Sequence, residues 1–97
     1  MKAIFIAFNQ AYNDEVEQIL LREGQRGFTK WNEIAGRGSM DGEPHYGNHA
    51  WPVMNHAILS VVPDDRAEAI VSSLRAADEA SPDLGLRAFV WEASQVV

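Results

Sequence analysis

Gly27 to Pro63 reads GFTKWNEIAGRGSMDGEPHYGNHAWPVMNHAILSVVP. This stretch decides how the rest of the chain is parsed. It has a segment of strand-forming residues at each end. Between them, from Gly36 to Pro52, glycine and proline are too dense for a regular element. It holds all three histidines, five of the seven glycines and two of the three tryptophans. The first flank, 27–35, is aromatic and β-branched with imperfect alternation. The second, 54–62, is apolar on both sides toward its end. Two strands joined by a long excursion are the simplest reading.

Working outward, residues 2–8, KAIFIAF, form another strand with no polar side: Ile4, Ile6 and Phe8 alternate with Ala3, Phe5 and Ala7. Asp14 with Glu17 resembles a capping box. Val16, Ile19 and Leu20 follow at helical spacing, and Gly24 is a plausible stop, so a helix is expected over about 14–23. After Pro63, Asp65 and Glu68 repeat the cap spacing. Ala69, Ile70, Leu74 and Ala77 make a second helical stripe ending near Ser81-Pro82. Residues 85–91, GLRAFVW, are a fourth strand, with Leu86, Ala88 and Val90 on one side and Arg87, Phe89 and Trp91 on the other.

The order is β-α-β-β-α-β. The two halves echo each other, because Ile19-Leu20 and Ile70-Val71 sit at equal offsets from Asp14 and Asp65. The expected fold is one α+β domain over 1–97: a ferredoxin-like four-stranded antiparallel sheet with two helices on one face and strands one and three in the centre. Strands one and three are apolar on both sides, so the face without helices would be an apolar surface larger than soluble monomers usually carry. A second copy of the chain is expected to cover it.

The formal net charge is −6. That argues against nucleic acid and against anionic membrane surfaces, both of which need clustered Lys and Arg. There is no cysteine, which removes disulfides, thiolate zinc sites and cysteine nucleophiles. The apolar run AIFIAF is too short for a signal core, and no window reaches the roughly 18 apolar residues of a spanning helix. A soluble cytoplasmic protein without membrane insertion is expected.

His45 and His49, four apart beside Asp41 and Glu43, could ligate a divalent metal ion, although loop residues need not share a side. The alternative is a solvated polar loop. His56, on a strand with Ile58 and Ser60, is read as a hydrogen-bonded, half-buried histidine. Gly36-Arg37-Gly38 is a turn through which backbone could approach a ligand, or a simple exit from the sheet. Arg37 and Arg87 are candidate anion partners or surface ion pairs. Trp31 and Trp91 fit a subunit contact, with a base-stacking platform as the other possibility. No Ser-His-Asp or paired-carboxylate arrangement can be built, so the residues give no positive sign of catalysis.

DEVEQILLREGQRGFTKWNEIAGRGS resembles the helix–strand–glycine segment of the P-II nitrogen regulatory proteins, through Asp14-x-Val16, Gly27-Phe28-Thr29 and Gly36-Arg37-Gly38. ILSVVPDDRAEAIVSSL is similar to that family's Val-Val-Pro-Asp segment and second helix. Leu86-Arg87-Ala88-Phe89-Val90 is similar to its fourth strand. The likeness spans nearly the whole chain apart from the central excursion. It implies a non-enzymatic regulatory homotrimer that binds a small ligand, such as an adenine nucleotide, in clefts between subunits. Gly36, Arg37, Gly38 and Arg87 would lie at that ligand. Loop 39–53 would meet a membrane transporter or a regulatory protein. Ser39 stands where the family has an arginine, DEASPDLG lacks basic residues, and the family's basic Arg-x-Arg strand has no counterpart in 1–97. Metal binding or tolerance through His45 and His49 is the alternative function, with a ferredoxin-like barrel enzyme as the third.

Overall fold

The computed structural model describes residues 1–37, 43–50 and 53–97. Its elements are β1 (Lys2–Asn9), α1 (Asn13–Arg22), β2 (Thr29–Ile34), β3 (Asn55–Val62), α2 (Asp64–Ala80) and β4 (Arg87–Glu92). Short 3-10 turns at Gln10–Tyr12 and Pro82–Leu84 occupy stretches that read as loop in the sequence. The sheet order is β2-β3-β1-β4, with every pair antiparallel. This is the expected ferredoxin-like arrangement, with β1 and β3 central.

Register explains the division of side chains between the two faces. Ile6 pairs with Ile58 and with Ala88, and Phe8 with His56. These residues share the face on which both helices lie. The core there comprises Ile4, Ile6, Phe8, Ile58 and Val62 from the sheet, Val16, Ile19 and Leu20 from α1, and Ala67, Ile70 and Leu74 from α2, joined by Leu84 and Leu86. The stripe on α2 is therefore centred on Ala67, Ile70 and Leu74, while Ala69 is only half-buried.

The helix starts differ from the capping boxes expected. Asp14 lies inside α1, which begins after Tyr12 with no side-chain cap. α2 begins after Pro63, also without one. Asp64 instead meets the amino group of Met1 at 2.8 Å. The end of α1 is as expected: Gly24 takes φ +77°, its N–H donates to Leu21 O, and the N–H of Gln25 donates to Leu20 O. That is a Schellman close, which uses the left-handed conformation glycine adopts without a Cβ penalty.

Glu17, also read as a cap, has another role. Its carboxylate accepts from Lys30 Nζ at 3.0 Å and from the Asn13 side chain. Asn13 Oδ1 accepts from Lys30 Nζ and from His56 Nδ1, both at 3.2 Å. The polar cluster pins α1 to β2 and β3. His56 is accordingly the half-buried, hydrogen-bonded residue expected, with its ring edge against Phe8 at a centroid distance of 6.1 Å. The Lys30 hydrogen bond, helped by that of Asn13 and by the charges of Lys30 and His56, holds the Glu17 carboxyl below its ordinary value. A carboxyl depressed on folding adds stability above its unfolded value, about 4.3. That stability disappears as pH falls through the lower folded value. Lys30→Met should remove it, costing about 1 kcal/mol or less at pH 7 for a partly exposed pair. The difference from wild type should be smaller at pH 3 than at pH 7 in urea titrations. An equal difference at pH 7 and pH 3 would mean that lost packing, not charge, explains it.

β2 is an edge strand with a bulge. Trp31 pairs with Ala57 but Ile34 with Asn55, so β2 spends one extra residue there. Glu33 absorbs it at φ +55°.

Among the described residues, no helix covers the second face of the sheet. Phe5 pairs with Leu59 and with Phe89, Ala3 with Val61 and with Trp91, and Trp31 with Ala57. Phe89, Trp91 and Trp31 are 57%, 49% and 44% exposed. The rings of Phe5 and Trp31 lie 6.4 Å apart. The apolar face expected from the two-sided strands is therefore present in the protomer. No helix among the described residues is long and apolar enough to cross a membrane.

Candidate functional site

At the end of the sheet where β1 finishes and β4 begins, the central excursion returns to the body of the protein. Its two sides are joined by an isolated antiparallel bridge: Gly36 N–H donates to His45 O at 2.8 Å, and His45 N–H to Gly36 O at 2.7 Å. Further on, Gly47 N–H donates to Val53 O, and Gln10 N–H to Met54 O. The excursion is thus anchored at its root by backbone pairing.

The His45 side chain adds to this anchor. Its Nδ1 lies 2.6 Å from Asn55 Oδ1. An amide oxygen only accepts, so Nδ1 carries the proton. Asn55 is 7% exposed and begins β3. A Cβ on Gly36 would collide with Asn55 Nδ2, so that position leaves no room for a side chain. Across from it, Gly85 takes φ +58° as the turn Pro82–Leu84 closes, and His45 Cε1 lies 3.3 Å from where a Gly85 Cβ would stand. Asn9 Nδ2 donates to Asp83 O at 3.2 Å, tying the end of β1 to the same turn.

His45, Gly85, Asn9 and Asp83 border a cavity of about 680 Å³. Its wall includes Asn9, Tyr12, Glu43, His45, Gly85 and Arg87. Asp78 and Asp83 also line it, so among the described residues of the wall the acidic ones outnumber the basic ones.

The residues singled out in the sequence separate here. Gly36, His45 and Arg87 gather at this end of the sheet, with Gly36 paired to the backbone of His45 and Arg87 in the cavity wall. Arg37 follows Gly36, is exposed, and is not among the residues described in the wall. Gly38 lies outside the described residues, as do Ser39, Asp41 and Trp51. His49 is exposed in a bend over 48–50. Among the described residues no group of three His, Asp or Glu side chains is placed to hold a metal ion. One nitrogen of His45 is already committed to Asn55. The metal site expected from His45 and His49 therefore lacks a ligand set among the described residues.

Asn55, Asn9 and Gly85 did not stand out in the sequence. The available signals were an asparagine at the head of an otherwise apolar strand and a glycine closing the Pro-Asp-Leu turn.

The family model for the nitrogen regulatory protein P-II matches residues 1–97. The chain belongs to the P-II family. Solved structures agree in fold with this P-II protein. CPII, a PII-like nitrogen regulatory protein from Thiomonas intermedia K12, was solved bound to ADP, AMP and bicarbonate. It is similar at 20% identity with a TM-score of 0.76, over 93% of this chain and 82% of CPII. The same protein bound to ADP and bicarbonate gives 21% and 0.75, over 93% and 82%. A PII-like signalling protein from Thermus thermophilus gives 21% and 0.66, over 93% and 83%. No curated protein sequence matches the chain. Within this P-II protein, the described cavity is lined by His45 at the root of the excursion, by Gly85 and by Arg87 at the start of β4.

Proposed function

We propose that this P-II protein is a non-enzymatic cytoplasmic regulator. It assembles as a homotrimer, binds an adenine nucleotide at the clefts between subunits, and signals through loop 39–53 to a partner protein, either a regulator or a membrane transporter. The observation that carries this reading is a cavity lined by both His45, whose backbone pairs with Gly36 at the excursion root, and Arg87, in a chain matched over residues 1–97 by the family model. A ligand there would touch the root of the loop. It could therefore shift the loop's conformational populations through unequal contacts with its states. Arg37 and Gly38 complete the proposed ligand turn.

The wall's charge sharpens the ligand class. Each added phosphate brings negative charge toward Glu43, Asp78 and Asp83 with Arg87 as the guanidinium in the wall. Affinity should therefore fall from ADP or AMP to ATP when no divalent cation is present. Calorimetry against ATP, ADP, AMP and cyclic nucleotides tests the reading. The expected result is heat with ADP or AMP that weakens with ATP. No heat with any of these nucleotides removes the nucleotide reading, and tightest binding of ATP removes the charge argument.

A further inference from the structure

We propose that His45 is the positioning residue that couples occupancy of the cavity to the root of the excursion. The proposal deepens the reading of this cavity as the ligand site and rests on it for its purpose. Three segments far apart in sequence meet at this one residue. Its backbone is paired in both directions with Gly36. Its Nδ1 donates to Asn55, a buried group at the head of β3. Its ring edge packs on the bare Cα side of Gly85, in the turn before β4. The same residue lines the cavity beside Glu43 and Arg87.

The packing leaves the ring little freedom. The Asn55 amide lies so close against the backbone of Gly36 that any Cβ there would collide with it. The contact at Gly85 is already close enough that a methyl group there would press on the ring. An occupant bearing on the imidazole from the cavity must therefore disturb the Asn55 bond, and with it the bridge that the His45 backbone makes. With Nδ1 engaged, Nε2 is the ring's remaining polar atom, and in the neutral imidazole it is an acceptor. The occupant suited to drive the coupling is one that offers a hydrogen-bond donor to it, such as an exocyclic amine or a hydroxyl.

The two bridge amides, Gly36 N–H and His45 N–H, report the coupling directly by hydrogen exchange in NMR, since local opening sets their exchange rates. In the ligand-free protein, His45→Ala should raise both rates about five- to tenfold, the size of one lost neutral hydrogen bond. His45→Asn, which restores an amide donor near the place of Nδ1, should recover most of the protection. Gly85→Ala should also raise both rates, because its methyl group acts as a small permanent occupant against the ring. Gly24→Ala is the control: Gly24 has φ +77° and so carries the same left-handed strain, but its methyl meets the Arg66 side chain instead. It should leave both amides as in wild type. The proposal is overturned if Gly85→Ala leaves the exchange unchanged, if Gly24→Ala matches it, or if His45→Asn is as fast as His45→Ala. Calorimetry with ADP on the wild type is run in parallel. Absence of heat there counts against the nucleotide reading, while the variant comparison still decides the coupling.

Discussion

Phe8→Ala should lower the stability of the protein by about 3–5 kcal/mol, the range for a large aromatic removed from a core that cannot collapse around the space. Phe8 is fully buried on β1, a central strand, facing both helices. Its ring also receives the edge of His56, so the loss includes support for the polar cluster around Asn13. The companion variant Phe5→Ala, three residues earlier and on the opposite face, should cost the protomer far less, because Phe5 is only half-buried there. Urea unfolding at a fixed protein concentration checks both, since any self-association makes stability concentration-dependent. A loss below about 1 kcal/mol at Phe8 would mean that the helix-side core does not hold the fold.

The second large effect concerns the open face. Phe89→Asp should dissociate the proposed assembly, so that light scattering at tens of micromolar gives the mass of one chain while far-ultraviolet dichroism keeps the fold. Phe89 lies on an edge strand and is 57% exposed in the protomer, so a charge there meets solvent in the single chain and an apolar surface in the assembly. Burying a side chain of this size is worth about 1.5–3 kcal/mol, and placing an unpaired carboxylate at such a contact reverses the sign. Trp31 and Trp91 share the face, so their fluorescence should shift to the red with the change in mass. A variant that keeps the wild-type mass would move the contact to another surface. A wild type that already has the mass of one chain would end the trimer reading.

Most of the architecture was legible because it is written in short-range periodicity. Ile4, Ile6 and Phe8 alternate with Phe5 and Ala7, and Val16, Ile19 and Leu20 repeat at helical spacing; the structure places each set as that spacing requires. The imperfect alternation of 27–35 has a physical cause in the bulge at Glu33, where the extra residue breaks the period of two. The capping boxes expected at the two helix starts do not form, and at the first the reason is of another kind. Asp-x-x-Glu has the spacing of a cap, but Glu17 meets a lysine on β2 that local sequence does not bring near it.

The candidate site was legible only in part. A glycine turn and an arginine before a β4 strand are visible along the chain, and a family resemblance can rest on them. That Gly36 pairs with His45 and not with another described residue of the excursion, that the His45 side chain meets Asn55, and that Gly85 closes on the same ring were all decided by tertiary structure. Alternation and helical spacing depend on neighbours two to four residues away, so the sequence alone determined the elements and which of their faces are apolar. The meeting of residues 36, 45, 55 and 85 depends on strand order and register. Those are settled only when the whole core packs, because only then does each segment have one place left to go.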